Sequence, residues 1–327
     1  MNPTWQSFLL EQGARIEAGV VADFGSGVDE LRAAAESGVV ADLSHLAVLQ
    51  FSGADAEAFL QGQVTCDVKA VQPERVTLGA YCTPKGRMLA DFYLARHRDG
   101  LRMMLLRELA VPIQKRLKMF VLRSKVEIAD VSEQCVLIGT SGPQARREPD
   151  AIEVPGARFL HTRNPAEAIA LWSSLASELK PVGASCWQWL DIRAGIPFIG
   201  ASTQDQLVPQ MANLELIGGV SFTKGCYTGQ EIVARTHYLG KVKRRMFLAR
   251  VAADEAPKAG DALYSEDLGA QASGLVVNAQ PGPSGDYELL AVANVESRDK
   301  SVVHLGSLQG AALEFQALPY SLEAAAK

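Results

Sequence analysis

The sequence predicts an α+β protein in which two successive α+β lobes are followed by an all-β module. Strand-like and helix-like segments alternate through two cycles before Lys241. After Lys241 the pattern changes to short strands separated by Gly, Pro, Asp and Ser, which is typical of a small β-barrel. The predicted domains are the first lobe with an N-terminal lead-in, the second lobe with a cysteine-containing segment, and the barrel, at 1–130, 131–240 and 241–327.

The first lobe is predicted to begin with a polar, helix-leaning lead-in over residues 1–40. A strand over Leu46–Phe51 then precedes a helix that ends near Gly62. Pro84-Lys85-Gly86 is typical of a turn between two strands, and Pro112 fits the first turn of a helix. Further strands of this lobe are predicted at 76–82, 87–95, 101–106 and 126–131.

The second lobe is predicted to start with a strand at Cys135–Gly139. Asn164 is typical of a helix N-cap, so a helix is predicted over Pro165–Leu179. Another helix is predicted over Ala184–Ala194, with Gly195 as its end. The strands of the C-terminal module are predicted at 246–251, 262–265, 274–278, 289–295 and 302–305.

The composition favours an ordinary globular protein with a substantial core. The chain has 327 residues, of which 48% are hydrophobic and 21% are charged. The net charge of −5 argues against a protein that binds DNA or RNA through its overall charge. Five scattered cysteines without a close pair indicate a reducing compartment, and the histidines show no zinc-ligand spacing. The absence of a signal-peptide pattern or a long apolar run predicts a cytoplasmic protein that does not enter a membrane.

The segment Lys224–Glu231, with the sequence KGCYTGQE, carries the strongest indication of chemistry. Thr228 and Glu231 have the spacing of a capping box, which predicts a helix that begins at Thr228. Cys226 would then precede a helix N-terminus, where free N–H groups favour negative charge, and Lys224 adds a positive neighbour. Both effects favour the nucleophilic thiolate. The alternative is a free cysteine packed inside the turn, and the residues alone leave both interpretations open.

Trp187 and Asp191 share one face of the helix predicted over Ala184–Ala194. An exposed indole beside a carboxylate is suited to a flat heteroaromatic ring, which stacks on the indole and donates N–H bonds to the carboxylate. The alternative for the tryptophan is packing in the core, which the residues alone favour.

A basic cluster follows the cysteine segment. Its cations could contact phosphates, the polyglutamate tail of a ligand, or RNA. The alternative is a solvated strand edge that its charges protect from aggregation. The cluster comprises Arg235, His237, Lys241, Lys243, Arg244 and Arg245.

With these residues the chain resembles the YgfZ family of folate-binding proteins, which are relatives of the glycine-cleavage T-protein, an aminomethyltransferase. The segment Lys224–Glu231 is similar to the signature of that family along its whole length. The resemblance extends over most of the chain apart from the lead-in and the tail. The other matching segments are Gly53–Asp55, Phe59–Thr65, Ala194–Pro197 and Val208–Gln210.

The resemblance implies a T-protein-like cloverleaf of two α+β lobes plus a C-terminal β-barrel, arranged around a tetrahydrofolate pocket. It also implies support of iron–sulfur enzymes, including those that thiolate tRNA, with Cys226 as the residue associated with activity and Lys224 beside it. Trp187 matches a tryptophan in the pterin region of the family. The candidate cofactor-binding residues are Trp187, Asp191, Arg193, Gln210 and Tyr227.

Two positions depart from the pattern of the relatives. They commonly carry Glu at the position of Arg193, and in the T-protein that carboxylate holds the pterin. Arg193 cannot accept a hydrogen bond, so Asp191 must substitute for it or pterin affinity is lost. A second family tryptophan is replaced by Leu46, which removes one stacking partner.

The leading hypothesis is a folate-binding accessory protein for iron–sulfur cluster assembly or repair, and thereby for tRNA modification. Cys226 would transiently bind iron, a cluster edge or sulfur, together with client enzymes or assembly factors as partners. The alternative is a tetrahydrofolate-dependent aminomethyltransferase. The T-protein, however, has an acidic residue and Phe at the positions of Cys226 and Tyr227, and an Asp pair at Ala90-Asp91. A third hypothesis is an RNA-binding module built on the basic cluster.

Overall fold

The computed structural model of the protein describes residues 1–142, 145, 148, 150–240 and 242–322. The helices are α1 (Pro3–Glu11), α2 (Gly27–Glu36), α3 (Ala56–Gln61), α4 (Arg107–Lys118), α5 (Pro165–Leu175), α6 (Ala184–Arg193), α7 (Gln230–Leu239) and α8 (Val295–Lys300). The strands are β1 (Arg15–Glu17), β2 (Val20–Asp23), β3 (Val39–Asp42), β4 (Leu46–Ser52), β5 (Thr77–Cys82), β6 (Met88–His97), β7 (Gly100–Leu106), β8 (Glu127–Asp130), β9 (Val136–Ser141), β10 (Ile152–Val154), β11 (Arg158–Arg163), β12 (Lys180–Val182), β13 (Arg244–Val251), β14 (Ala262–Ser265), β15 (Gly274–Pro281), β16 (Tyr287–Asn294), β17 (Val303–Leu305) and β18 (Glu314–Gln316). The mixed α+β class is confirmed.

The chain forms two compact units, each assembled from separate segments of the sequence. The first unit consists of Met1–Ala56, Val71–Val76 and Tyr93–Leu190. The second consists of Glu57–Ala70, Thr77–Phe92 and the chain from Asp191 onward. The domain boundaries predicted near residues 130 and 240 stay predictions.

A five-stranded sheet of the first unit has the order β10-β11-β9-β3-β12. Its strand β3 comes from the lead-in and pairs antiparallel with β9 and parallel with β12. The lead-in is therefore not only helical, and the sequence analysis missed a central strand. All four residues of Val39–Asp42 are buried, and such a short apolar run carries no periodicity that distinguishes strand from helix.

Two helices cover the core beside this sheet. Asn2 caps α1 by accepting a hydrogen bond from the N–H of Trp5, and Trp5 packs edge-on against Trp172 of α5 with ring centroids 5.5 Å apart. Asn164 caps α5 by accepting from the N–H of Glu167 at 3.0 Å, as predicted. Helix α5 ends at Leu175, four residues before the predicted end.

A second sheet of the first unit contains β7, β4 and β8 in that order, and the residues Tyr93–His97 of β6 pair with β7. Helix α4 follows β7 without a loop, because β7 ends at Leu106 and α4 begins at Arg107. Pro112 therefore lies inside the helix, and its prediction in the first turn was wrong. Its missing N–H removes one bond from the helix interior.

The second unit contains a six-stranded sheet of order β17-β14-β15-β16-β13-β18, which curls into a half-barrel. Its core consists of apolar side chains from alternate positions of these strands, including Phe247, Leu263, Val276 and Leu289. The predicted strand-rich C-terminal module is confirmed as a curled sheet, but it also contains helix α8, which the sequence analysis missed. The turn Pro84-Lys85-Gly86 is also confirmed, since Gly86 N–H donates to the carbonyl of Thr83 at 2.8 Å.

Candidate functional site

Cys226 differs from the other four cysteines in its exposure. It is exposed in the loop before α7, whereas Cys66, Cys82, Cys135 and Cys186 are buried. Burial raises the pKa of Cys66, of Cys82 and of Cys186 to about 12, which keeps these thiols protonated. A reagent or a partner in solution therefore meets the thiol of Cys226 and not the others. The alternative of a cysteine packed inside the turn does not fit this exposure.

Lys224 fixes the loop to the second unit. Its side chain is 9% exposed, and its ammonium donates to three backbone carbonyl oxygens at 2.6 to 2.9 Å, those of Gln61, Val64 and Cys66. These carbonyls use the three donors of the ammonium, so none is left for the Cys226 thiol. Lys224 was predicted as a cation that activates the thiol, and the structure makes it an anchor of the loop. Burial lowers its pKa to about 8.

Tyr227 turns inward from the same loop. Its ring lies under the ammonium of Lys224, with 5.1 Å between the nitrogen and the ring centroid. The residue is 7% exposed, and burial raises the pKa of its hydroxyl. Tyr227 was predicted to contact a cofactor, and the contacts described for it are those of a loop anchor.

Helix α7 begins differently from the prediction. Gly229, with φ of 86°, is the N-cap, and no side chain caps the helix, so the predicted cap at Thr228 is wrong. A Cβ at position 229 would lie 2.5 Å from the carbonyl oxygen of Thr83 and 3.0 Å from Cα of Gly86. Both the positive φ and this close approach require a glycine at position 229. Together they fix the position of Cys226 relative to α7.

Two buried carboxyl groups lie close together in the second unit. Asp91 of β6 and Asp191 of α6 are each 3% exposed. The N–H of Ile199 donates to Oδ1 of Asp91 at 2.7 Å, and Oδ2 has no hydrogen-bond partner in the described part of the protein. Burial raises the pKa of Asp91 to about 7. The hydrogen bond from the Ile199 N–H acts to lower this pKa, and the negative charge of Asp191 acts to raise it.

Asp91 was not among the predicted site residues and entered only through the aminomethyltransferase alternative. The signal that could have found it is an acidic residue in the middle of an otherwise apolar strand, MLADFYLA. Asp191, which was predicted, is placed beside it. The structure thus brings together one predicted and one missed carboxyl group.

Arg193 is engaged by the curled sheet. Its Nη1 donates to Glu288 of β16 at 3.3 Å and to Gln316 of β18 at 3.0 Å. The side chain of Arg193 therefore has hydrogen-bond partners within this chain. The guanidinium of Arg193 is thus engaged by an acidic and an amide side chain of the same unit.

Gln210 lines a cavity of about 520 Å³ in the second unit. Its Nε2 donates to the carbonyl of Val233 at 2.6 Å, and its Oε1 has no partner within the described residues. Arg245 and Glu215 form a buried ion pair on the same wall, and Arg245 also donates to the backbone carbonyl of Gln210. The amide oxygen of Gln210 is thus a buried acceptor without a described partner.

Trp187 lies in the core of the first unit. It is fully buried, and the guanidinium carbon of Arg158 lies 4.6 Å from its ring centroid. Its six-membered ring packs closely on the backbone of Gly139, where a Cβ would lie 2.5 Å from the ring. This burial fits core packing and not the predicted exposed indole. Leu46, at the position of the other family tryptophan, is also buried.

The predicted basic cluster does not form one cationic face. Arg235 and Lys243 are exposed, whereas Arg245 is buried with Glu215 and is not available to a phosphate. Arg244 is half-buried and donates to the carbonyl of Ala272 at 3.2 Å. Adjacent residues of a strand point to opposite faces, which separates Arg244 from Arg245. Lys241 lies outside the described residues.

Two general features of the described residues bear on the site. They contain no group of three or more His, Cys, Asp or Glu side chains arranged to hold a metal ion. No helix among them combines the length and the hydropathy that a membrane span requires.

Comparison with known proteins relates the chain to two groups. Residues 21–153 match the family model described as the GCVT N-terminal domain. The chain is 34% identical over 305 residues to the proteins named tRNA-modifying protein YgfZ from Escherichia coli O45:K1 (strain S88) and Shigella boydii serotype 18, covering 86% of this chain and 93% of each relative. Its structure is similar to the glycine cleavage system aminomethyltransferase T of Bartonella henselae, with a TM-score of 0.76, 16% identity and coverage of 98% and 97%. At that identity the structural similarity shows a shared T-protein-like fold.

Proposed function

Since this chain belongs to the YgfZ family, we propose that it is a folate-binding accessory protein that supports iron–sulfur enzymes and, through them, tRNA modification. The observation that carries the proposal is the exposed Cys226, held at the surface by the anchored Lys224 and the obligatory Gly229. A role in tRNA modification comes from the named relatives, and the iron–sulfur connection comes from the resemblance of the signature.

Cys226 would act on iron, on a cluster edge or on sulfur as cargo. One thiolate cannot hold a cluster alone, because clusters usually need several ligands. The remaining ligands would come from a client enzyme or an assembly factor. An exposed thiol on a loop that is fixed at both sides suits such a transfer, since it reaches a partner without rearrangement of the fold.

Tetrahydrofolate is proposed as the cofactor, and the buried carboxyl group of Asp91 offers an acceptor for part of it. The aminopyrimidine edge of a pterin carries N–H donors, and Oδ2 of Asp91 could accept a hydrogen bond from one of them. Gln210 offers a further acceptor oxygen. Trp187 does not fit a stacking role, because it is enclosed by its own unit. When bound, tetrahydrofolate supplies a carrier for one-carbon groups.

The thiol proposal is tested in cells that lack their own copy of the protein. Cys226→Ser should reduce thiolated tRNA to the level without the protein, because serine cannot supply a soft thiolate ligand. Gly225→Ala is the matched control, since a Cβ there meets nothing within 4 Å, and it should behave as the wild type. Full tRNA thiolation with Cys226→Ser would overturn the role of the thiol.

The folate proposal is tested by calorimetric titration of the purified protein with tetrahydrofolate. Asp91→Asn keeps an acceptor for the Ile199 N–H but replaces the second oxygen with a donor, and it should weaken binding about tenfold or more. Asp254→Asn removes an exposed carboxylate of the same unit and should leave affinity unchanged. No binding by the wild type, or equal binding by both variants, would refute the proposal that this chain binds folate through Asp91.

A second candidate, a tetrahydrofolate-dependent aminomethyltransferase, is favoured by the buried carboxyl group of Asp91 beside Asp191. The pKa of Asp91, about 7, suits a group that exchanges protons near neutral pH. Incubation with tetrahydrofolate and an aminomethyl-lipoyl carrier should yield methylenetetrahydrofolate if this function holds. Loss of that product in Asp91→Asn, with retention in Cys226→Ser, would rank this candidate above the accessory role.

A further inference from the structure

The first unit contains a polar cavity of about 380 Å³ that involves none of the residues discussed above for folate or sulfur. It lies where the β6–β7 hairpin, the start of β9 and the junction of β11 with α5 meet. The residues that define its chemistry are His97, Arg98, Arg102, Cys135, Arg163 and Glu167.

Three guanidinium groups from three different elements line this cavity. Arg98 comes from the hairpin, Arg102 from β7 and Arg163 from the end of β11. Gln50 holds Arg102 through a hydrogen bond of 2.9 Å from Nε to Oε1. Asp150 pairs with Arg163, whose side chain is only 14% exposed. Two of the three cations are thus fixed by neighbouring side chains before any ligand arrives, which reduces the entropy lost on binding.

The other charged and titratable groups around the cavity comprise a neutral thiol and three carboxylates. Cys135 is 3.5 Å from Nη1 of Arg102, and burial raises the pKa of its thiol, so it stays neutral. Glu167 is the acidic residue of the lining, against three arginines, and Asp99 and Asp150 pair with Arg98 and Arg163. Arg102 has no carboxylate among its described partners, which are Gln50 and Cys135, so it is the arginine whose charge is least compensated.

The dipole of α5 and the imidazole of His97 also act on the cavity. Helix α5 has 11 residues, and its Asn164 cap and first turn border the cavity. Pro165 has no N–H and Asn164 accepts from the N–H of Glu167, so the helix contributes its dipole and not these donors. Nδ1 of His97 accepts from the N–H of Asp99 at 3.3 Å, which leaves the proton of the neutral ring on Nε2. The ring can therefore donate without becoming charged.

From this arrangement we propose that the cavity binds the phosphate group of a ligand. Paired guanidinium forks match phosphate oxygens in a bidentate way, and several of them favour an anion with more than two oxygens over a carboxylate. The cavity is larger than a phosphate alone and leaves room for the group attached to it. The phosphate can belong to a nucleotide or to the backbone of an RNA, and the experiment separates these sources.

The probe is inorganic phosphate, titrated into the full-length protein at constant ionic strength and followed by NMR of the His97 ring. Burial lowers the pKa of His97, as do Arg102 and Arg98, against an opposing effect of Asp99. A bound anion should raise this pKa, and phosphate binding should saturate. Arg98→Gln and Arg163→Gln should each weaken binding about tenfold. Arg32→Gln, an exposed arginine elsewhere in the same unit, should not.

Arg98 is 86% exposed on its side chain, so its variant should fold even if Arg163→Gln does not. Competition by adenosine monophosphate at matched ionic strength would assign the site to a small phosphorylated ligand. Competition by a tRNA transcript, lost in the same variants, would assign it to the RNA backbone. Absence of saturable phosphate binding by the wild type, or equal weakening in Arg32→Gln and Arg98→Gln, would overturn the proposal. Folate titration of the same variants should give the wild-type affinity, because the cavity shares no residue with the proposed folate site. The phosphate proposal and the proposed function can therefore fail independently.

Discussion

Replacing Gly229 by alanine should destabilise the loop that presents Cys226. At φ of 86° an alanine is in the left-handed region, which costs about 1–2 kcal/mol. Its Cβ would lie 2.5 Å from the Thr83 carbonyl oxygen and 3.0 Å from Cα of Gly86, and both are backbone atoms that cannot rotate away. Relief of such an overlap by backbone shifts costs about 1–3 kcal/mol more. The expected loss in the free energy of unfolding is therefore about 2–5 kcal/mol.

The matched control lies four residues earlier in the same loop. Gly225 has no positive φ, and a Cβ there would meet nothing within 4 Å. Gly225→Ala should therefore change the free energy of unfolding by less than about 1 kcal/mol, with stabilisation possible because alanine restricts the unfolded chain.

Urea denaturation of both variants at neutral pH measures the difference directly, and the rate of Cys226 alkylation in the native state reports whether the loop has moved. Gly229→Ala should alter that rate, whereas Gly225→Ala should preserve it. If the two variants have the same free energy of unfolding within about 0.5 kcal/mol, the argument that the α7 entry depends on a glycine is refuted.

Three further results are expected. In the native protein a thiol reagent should modify Cys226 alone, with the other four cysteines reacting only after denaturation; a second fast thiol would contradict the buried positions. The pKa of Asp91 is raised to about 7, so the folded state binds more protons than the unfolded state between about pH 4 and 7, and stability should fall across this range by on the order of 4 kcal/mol. Asp91→Asn should abolish this fall in urea titrations at several pH values, and an unchanged pH profile would refute the burial argument. The pKa of Lys224 is lowered to about 8, so above pH 8 the unfolded state binds more protons than the folded state. The free energy of unfolding should therefore rise toward pH 10 by up to about 3 kcal/mol. Lys224→Met should remove that rise, whereas the control Lys85→Met, at an exposed lysine, should keep it.

The regular elements with strong local signals could be predicted from the sequence. Asn164 caps α5 because its side chain satisfies a free N–H, whatever the rest of the fold does. Gly195 follows the end of α6 with φ of 68°, a conformation that glycine adopts without steric cost. Strand β3 could not be predicted in this way, since four apolar residues become a strand only when β9 and β12 pair with them.

The candidate site was also only partly predictable from the sequence. The motif around Cys226 identified the segment and its reactive residue type, but the start of α7 at Gly229 depends on the Thr83–Gly86 turn, which is distant in sequence. Nothing near Lys224 in the sequence indicates that three carbonyls would occupy its ammonium. The charge of a side chain is a local property, whereas its partners are set by packing.

The sequence by itself determined the mixed α+β class, the strand-rich C-terminal segment, and the motif that relates this chain to its family, because these follow from periodicity and from residue type along the chain. The tertiary structure alone decided which groups are exposed and which are paired. It enclosed Trp187 beneath Arg158, joined Arg193 to Glu288, and left an oxygen of Asp91 without a described partner. Burial and pairing depend on residues far apart in the chain, and the free energy of a buried polar group is fixed only when those residues meet.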